Sequence, residues 1–147
     1  MSRKNARDML ELPADRGARM YVTITCDIEV TVTPRFLPER SSPQQGYFFW
    51  AYTIAITNKS AETVQLRSRH WRITDALGRV QEVKGPGVVG EQPRLAPGDS
   101  FKYESGVPLE TPSGLMVGTY SMVTDGGKPF EVAIPAFSLD SPAAPVN

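Results

Sequence analysis

The stretch 21-YVTITCDIEVTVTP-34 alternates without a break, with Val22, Ile24, Cys26, Ile28, Val30 and Val32 at even positions and threonines or carboxylates at the odd ones between. Successive side chains of a strand point to opposite faces, so a period of two predicts one antiparallel strand with its apolar side turned to a core. The same parity sets Cys26 on that apolar side, as a buried thiol that reacts slowly in the folded state. The prolines and the Ser-Ser-Pro-Gln-Gln cluster of 34-PRFLPERSSPQQG-46 have the chemistry of an exposed connection. Beyond it 47-YFFWAYTIAITN-58 resumes the alternation. Phe48, Trp50, Tyr52, Ile54 and Ile56 form its heavy face, which is expected to point inward.

The next run, 63-TVQLRSRHWRITDALGRVQEV-83, changes phase. Val64 and Leu66 are apolar at even positions, Trp71 and Ile73 at odd ones, so one extra residue has entered the strand. A β-bulge or strand break around Arg67 to His70 accounts for this, since a bulge sets two residues against one and re-aims the side chains beyond it. The segment 75-DALGRV-80 reads as a hairpin turn with Gly78 at the position that requires positive φ. Three more alternating runs follow, 100-SFKYESGV-107, 115-LMVGTYSMVT-124 and 129-PFEVAIPAF-137, separated by Pro- and Gly-containing turns. No segment has a helical period. The expected fold is an all-β antiparallel sandwich of about seven to eight strands over residues 20–140, with a flexible arm at 1–19 and a disordered tail at 141–147.

Composition narrows the function classes. The chain has 147 residues, with 16 basic and 16 acidic side chains that cancel. Zero net charge removes the electrostatic footprint of a dedicated nucleic-acid or anionic-membrane binder. Cys26 is the only cysteine, which fits a reducing compartment. No stretch approaches the ~20 apolar residues of a membrane span, and the N-terminal residues hold no signal-peptide core. The expectation is a cytoplasmic protein with neither nucleic acid nor membrane as partner.

Chemistry-bearing motifs are few. In 83-VKGPGVVGEQP-93 the spacing Gly85, Gly87, Gly90 matches the G-x-G-x-x-G of dinucleotide-binding loops. Those loops need a helix to follow, whose N-terminal amides and dipole hold the pyrophosphate. Pro93 and Pro97 deny one here. The glycines then serve the backbone of an inter-strand loop, although successive loop amides can also nest a small anion without a helix. His70 is the only histidine, so zinc-hydrolase and multi-histidine metal sites lack ligands. The serines have no nucleophile elbow. No cofactor, metal or catalytic constellation is expected. Two features remain as candidate surfaces. Arg67 and Arg69 beside Trp71 could hold a phosphate or carboxylate, with a core Trp71 and surface ion pairs to Glu62, Asp75 or Glu82 as the competing reading. Val88 and Val89 sit in the glycine loop, where at least one exposed valine would offer a docking edge, unless both plug the sandwich.

Residues 66–139 also resemble the ApaG domain. The elements R-x-W-x-I, G-x-G-V-V-G-x-x-P, A-P-G, Y-x-S-G, T-P-x-G-x-M-x-G-x-Y and I-P-x-F-x-L appear in order, and the strands beginning at Val22 and Tyr47 extend the resemblance to about residues 20–140. The resemblance implies a fibronectin-III-like or immunoglobulin-like sandwich. It also implies an association with cobalt and magnesium handling, and a neighbourhood with diadenosine-tetraphosphate hydrolysis. Similar domains in eukaryotic F-box and polymerase-interacting proteins favour a protein-interaction role. No catalytic residue comes with the family. The reading is a non-enzymatic interaction module with an unidentified protein partner, and as alternative a binder of a pyrophosphate-like or metal-bound anion at Gly85–Gly90.

Overall fold

The computed structural model describes residues 19–142. The arm expected at 1–19 and the tail at 141–147 lie outside it, apart from Arg19, Ser141 and Pro142. Nine strands follow in chain order: β1 (Tyr21–Thr25), β2 (Ile28–Phe36), β3 (Phe48–Asn58), β4 (Val64–Asp75), β5 (Val80–Pro86), β6 (Arg94–Leu95), β7 (Ser100–Leu109), β8 (Ser113–Thr124) and β9 (Pro129–Asp140). One sheet runs β1-β2-β3-β7; the other runs β5-β4-β8-β9, with the two-residue β6 added to β4. All pairings are antiparallel, and two single 3₁₀ turns fill the β2–β3 connection. The fold is the expected all-β sandwich.

The core lies between the sheets where the heavy faces meet. Phe48, Trp50, Tyr52, Ile54 and Ile56 are all buried, as their parity predicts. Tyr52 from one sheet meets Trp71 and Phe137 from the other in a triangle with ring centroids 5.6–5.8 Å apart. Such edge-to-face and tilted contacts each add about 0.5–1.5 kcal/mol beyond burial. Trp71 is 3% exposed, which settles it as a core residue.

The opening stretch is two strands, not one. Cys26 and Asp27 take φ of 51° and 63° and form a two-residue turn that pairs Thr25 with Ile28. Positive φ at both central residues is the type I′ geometry, whose twist suits a tight hairpin. Residues paired across the turn share a face, so Tyr21, Thr23 and Thr25 join Ile28, Val30 and Val32 on the inner side. Val22 and Ile24 are thereby turned out to solvent, and Cys26 is exposed at the turn. The expectation of a buried thiol is corrected on this geometry.

This hairpin closes one side of the sandwich. Thr23 Oγ1 donates to the Ala133 carbonyl at 2.8 Å, and the Ala133 N–H donates to Thr25 Oγ1 at 3.2 Å. Threonine hydroxyls thus occupy part of the β9 edge that another chain could otherwise extend. On the opposite side β7 and β5 end their sheets and are not paired with each other.

Candidate functional site

The bulge foreseen between Arg67 and His70 sits at Arg67, where the β4–β8 register jumps from Leu66 to Ser68. Its effect is to divide the two arginines. Arg67 is exposed, while Arg69 shares the inner face with Trp71 and stands in register with Gly85 on β5 and Tyr120 on β8. The bulged residue's carbonyl does a second job. It accepts the Gly87 N–H at 2.8 Å and the Gln92 side-chain amide at 2.8 Å, anchoring both ends of the glycine loop to β4.

Each glycine of the loop answers a separate demand. Gly85 lies under the Arg69 guanidinium, where a Cβ would come within 3.0 Å of Nη1. Gly87 takes φ of 63°, and a Cβ there would strike the Glu91 carbonyl. Gly90, with φ of 82°, is the second residue of a tight turn whose first residue is Val89 at φ of 41°. Reciprocal 2.8 Å bonds between Val88 and Glu91 close that turn. A β-branched residue at positive φ is a backbone outlier, because its branched Cβ crowds the carbonyl.

The two valines separate. Val88 is 1% exposed and belongs to the core cluster; Val89 is 55% exposed at the tip. Val88 as a docking residue is therefore corrected: its side chain cannot reach a partner while the domain is folded. Three of the loop amides also have defined fates. The N–H groups of Gly87, Val88 and Glu91 already donate to protein carbonyls, so they are not available to an anion nest.

Arg69 reaches toward this loop. Its Nη1 donates to the Pro86 and Gly87 carbonyls at 3.1 and 3.0 Å. Two of the carboxylates considered as partners for Arg67 and Arg69 bond elsewhere, Asp75 to Arg79 at 2.7 Å and Glu82 to His70 at 3.0 Å, and Glu62 forms no ion pair with either arginine. Close to Arg69 lie buried phenols. Tyr103 and Tyr120 share a 2.6 Å hydroxyl bond, and burial pushes both phenols well above the ordinary tyrosine range. Burial likewise raises Tyr52, against a hydrogen bond from Ser105 and the positive charge of Arg69. The tyrosine pair was within reach of sequence reasoning, since Tyr103 keeps parity with Phe101 and Val107, and Tyr120 with Met116 and Met122. Further along the open side lies a cleft of about 370 Å³, lined by Tyr47, Ile73, Val80 and Leu109, where Arg79 is held by Asp75 and Glu110. Among the described residues no group of three or more His, Cys, Asp or Glu gathers as a metal site.

The loop, the bulged strand that anchors it and Arg69 all fall inside residues 38–124, which match the model of the ApaG domain. The chain belongs to the ApaG domain family. Protein ApaG of Paramagnetospirillum magneticum is 64% identical over 123 residues, covering 84% of this chain and 95% of that protein. Protein ApaG of Rhodospirillum centenum is 63% identical over the same length and shares. A crystal structure of a Bordetella pertussis protein assigned as ApaA is 54% identical, covers 80% of this chain and 96% of its own, and superposes with a TM-score of 0.78. In this ApaG domain the loop presents the Val89 tip to solvent beside Arg69.

Proposed function

We propose that this ApaG domain is a non-enzymatic interaction module of the cytoplasm, and that the glycine loop is its docking element. The observation that carries the reading is Val89: exposed, apolar, and held at positive φ by a loop pinned to Arg67 and Arg69. A strained backbone persists only where its surroundings over-determine it, and such positions concentrate at functional sites. A valine there costs stability that asparagine or glycine would not, which points to a use outside folding. An apolar tip on a rigid loop supplies one, since little ordering entropy is lost on contact. A role in cobalt and magnesium handling would on this reading be exercised through the protein that the loop engages.

The test is affinity capture from a bacterial lysate, comparing the wild-type domain with Val89→Asn. Burying one valine contributes up to ~1.5 kcal/mol, about tenfold in affinity. At least one protein should be retained by the wild type and depleted about tenfold by a variant that melts no lower. An identical set of captured proteins from both baits rejects the loop as docking element.

A further inference from the structure

We infer that Arg69 receives a carboxylate from the partner, in the opening between the β5 and β7 edges. This rests on the interaction reading above and adds the chemistry of the group that is recognised.

The inference starts from how the guanidinium is used. An arginine keeps its charge, and its planar fork is shaped to take a carboxylate in two parallel hydrogen bonds. Arg69 stands on the inner face of β4 between Gly85 and Tyr120, yet among the described residues no carboxylate lies within ion-pair distance of it. Only Nη1 of Arg69 is engaged, by the two loop carbonyls. Holding those carbonyls explains one nitrogen of the fork and leaves Nε–H and both Nη2–H groups without an acceptor among the described residues. With Nη1 fixed and the plane seated against Gly85, the Nε–Nη2 edge is pre-set. Two parallel N–H groups on that edge match the two oxygens of a carboxylate.

Phosphate offers similar oxygens, and charge decides between them. The site carries one positive charge beside the buried hydroxyls of Tyr103 and Tyr120, which burial holds neutral. A monoanion balances that charge. A dianion would leave one negative charge unbalanced, and the Gly87, Val88 and Glu91 amides that could have helped are already spent on Arg67, Glu91 and Val88. The position suits a partner's group as well, because the β5 and β7 edges on either side are not joined.

The experiment follows the Arg69 Nε–H resonance of the ¹⁵N-labelled domain, at ionic strength held constant with chloride. The probes are acetate, an end-blocked glutamyl tripeptide, an alanyl tripeptide with a free C-terminus, and inorganic phosphate. Acetate and at least one peptide should displace the resonance saturably, and which peptide does so separates an acidic side chain from a chain terminus. Arg69→Lys keeps the charge without the fork and should weaken acetate binding at least tenfold, followed on backbone amides around the loop. Should that variant fail to fold, Gly85→Ala serves: its added Cβ lifts the guanidinium off its seat and should weaken binding with the charge retained. No saturable displacement by any carboxylate, tighter binding of phosphate than of acetate, or unchanged acetate affinity in the folded variant overturns the inference. Val89-dependent capture that persists alongside such a result would overturn the carboxylate site alone.

Discussion

Val89→Asn should make the domain more stable, although it removes an apolar side chain. Val89 and Gly90 are the central residues of a two-residue turn with φ of 41° and 82°. Asn-Gly is the favoured pair for that geometry, because asparagine tolerates the left-handed region and valine does not. Holding a residue in a sparsely populated region costs ~1–3 kcal/mol. Against this, Val89 is 55% exposed, so the substitution forfeits only about half of a valine's burial, roughly 0.7 kcal/mol. The net expectation is a gain of about 1 kcal/mol, equivalent to ~3–5 °C in melting temperature for a domain of this size. Urea and thermal unfolding followed by circular dichroism measure it. Val89→Ala separates the contributions: it removes the branched carbons but keeps a Cβ at positive φ, so it should recover less than asparagine. A Val89→Asn domain no more stable than wild type, or an alanine variant as stable as the asparagine one, would refute the assignment of strain to this turn.

The hairpin at Cys26 and Asp27 uses the same geometry, so Cys26→Asn with Asp27→Gly should also raise the urea midpoint, by about 1 kcal/mol of stability. The exposed Cys26 thiol should react with thiol reagents at comparable rates in the native and unfolded states, and strong native protection would contradict its place in the turn. Tyr120→Phe strands the buried Tyr103 hydroxyl and should cost ~1–3 kcal/mol, whereas the double Tyr103→Phe, Tyr120→Phe variant should lose less than the sum of the single changes. Burial raises both phenols, so their contribution is complete below the unfolded pKa of ~10 and is lost as pH climbs through the folded values; an alkaline unfolding series should show the wild type losing stability that the double variant keeps. Desolvation alone would raise Asp75, but hydrogen bonds from the Arg79 backbone and side chain and from the Leu77 amide hold its carboxyl below the ordinary range. Its stabilisation is therefore present above an unfolded pKa of ~4 and lost as pH falls through the depressed folded value, and Asp75→Asn should flatten that acid limb of the unfolding midpoint.

The sandwich was legible because its evidence is carried by period and punctuation. Alternation at Phe48–Ile56 and turn residues at Gly78 act locally, and the phase change between Leu66 and Trp71 is itself a count of one inserted residue. The same counting rule failed at residues 21–34 for a physical reason. A two-residue turn pairs Thr25 with Ile28, so the face shared across it holds odd residues on one strand and even residues on the other. In linear sequence that hairpin is indistinguishable from an unbroken strand unless the turn residues announce themselves. Cys26-Asp27 lacks the glycine that usually marks positive φ, as Val89 does one position before Gly90. The first turn was hidden because neither of its residues is a glycine; in the second Gly90 was visible, and only the positive φ of Val89 was not.

The candidate site was harder to read, because it is made by pairing rather than by sequence neighbours. Knowing that a bulge lay between Arg67 and His70 was enough to say that Arg67 and Arg69 cannot both share a face with Trp71. Choosing between them required the register, which skips Arg67 and sets Arg69 opposite Tyr120. The glycine spacing misled in a related way. Its resemblance to a phosphate-binding loop comes from three unconnected demands: room for a guanidinium at Gly85, a tight approach to Glu91 at Gly87, and a reversed turn at Gly90. Each is a backbone or packing requirement, and together they aim the Pro86 and Gly87 carbonyls at Arg69 while the Gly87, Val88 and Glu91 amides are spent on the protein.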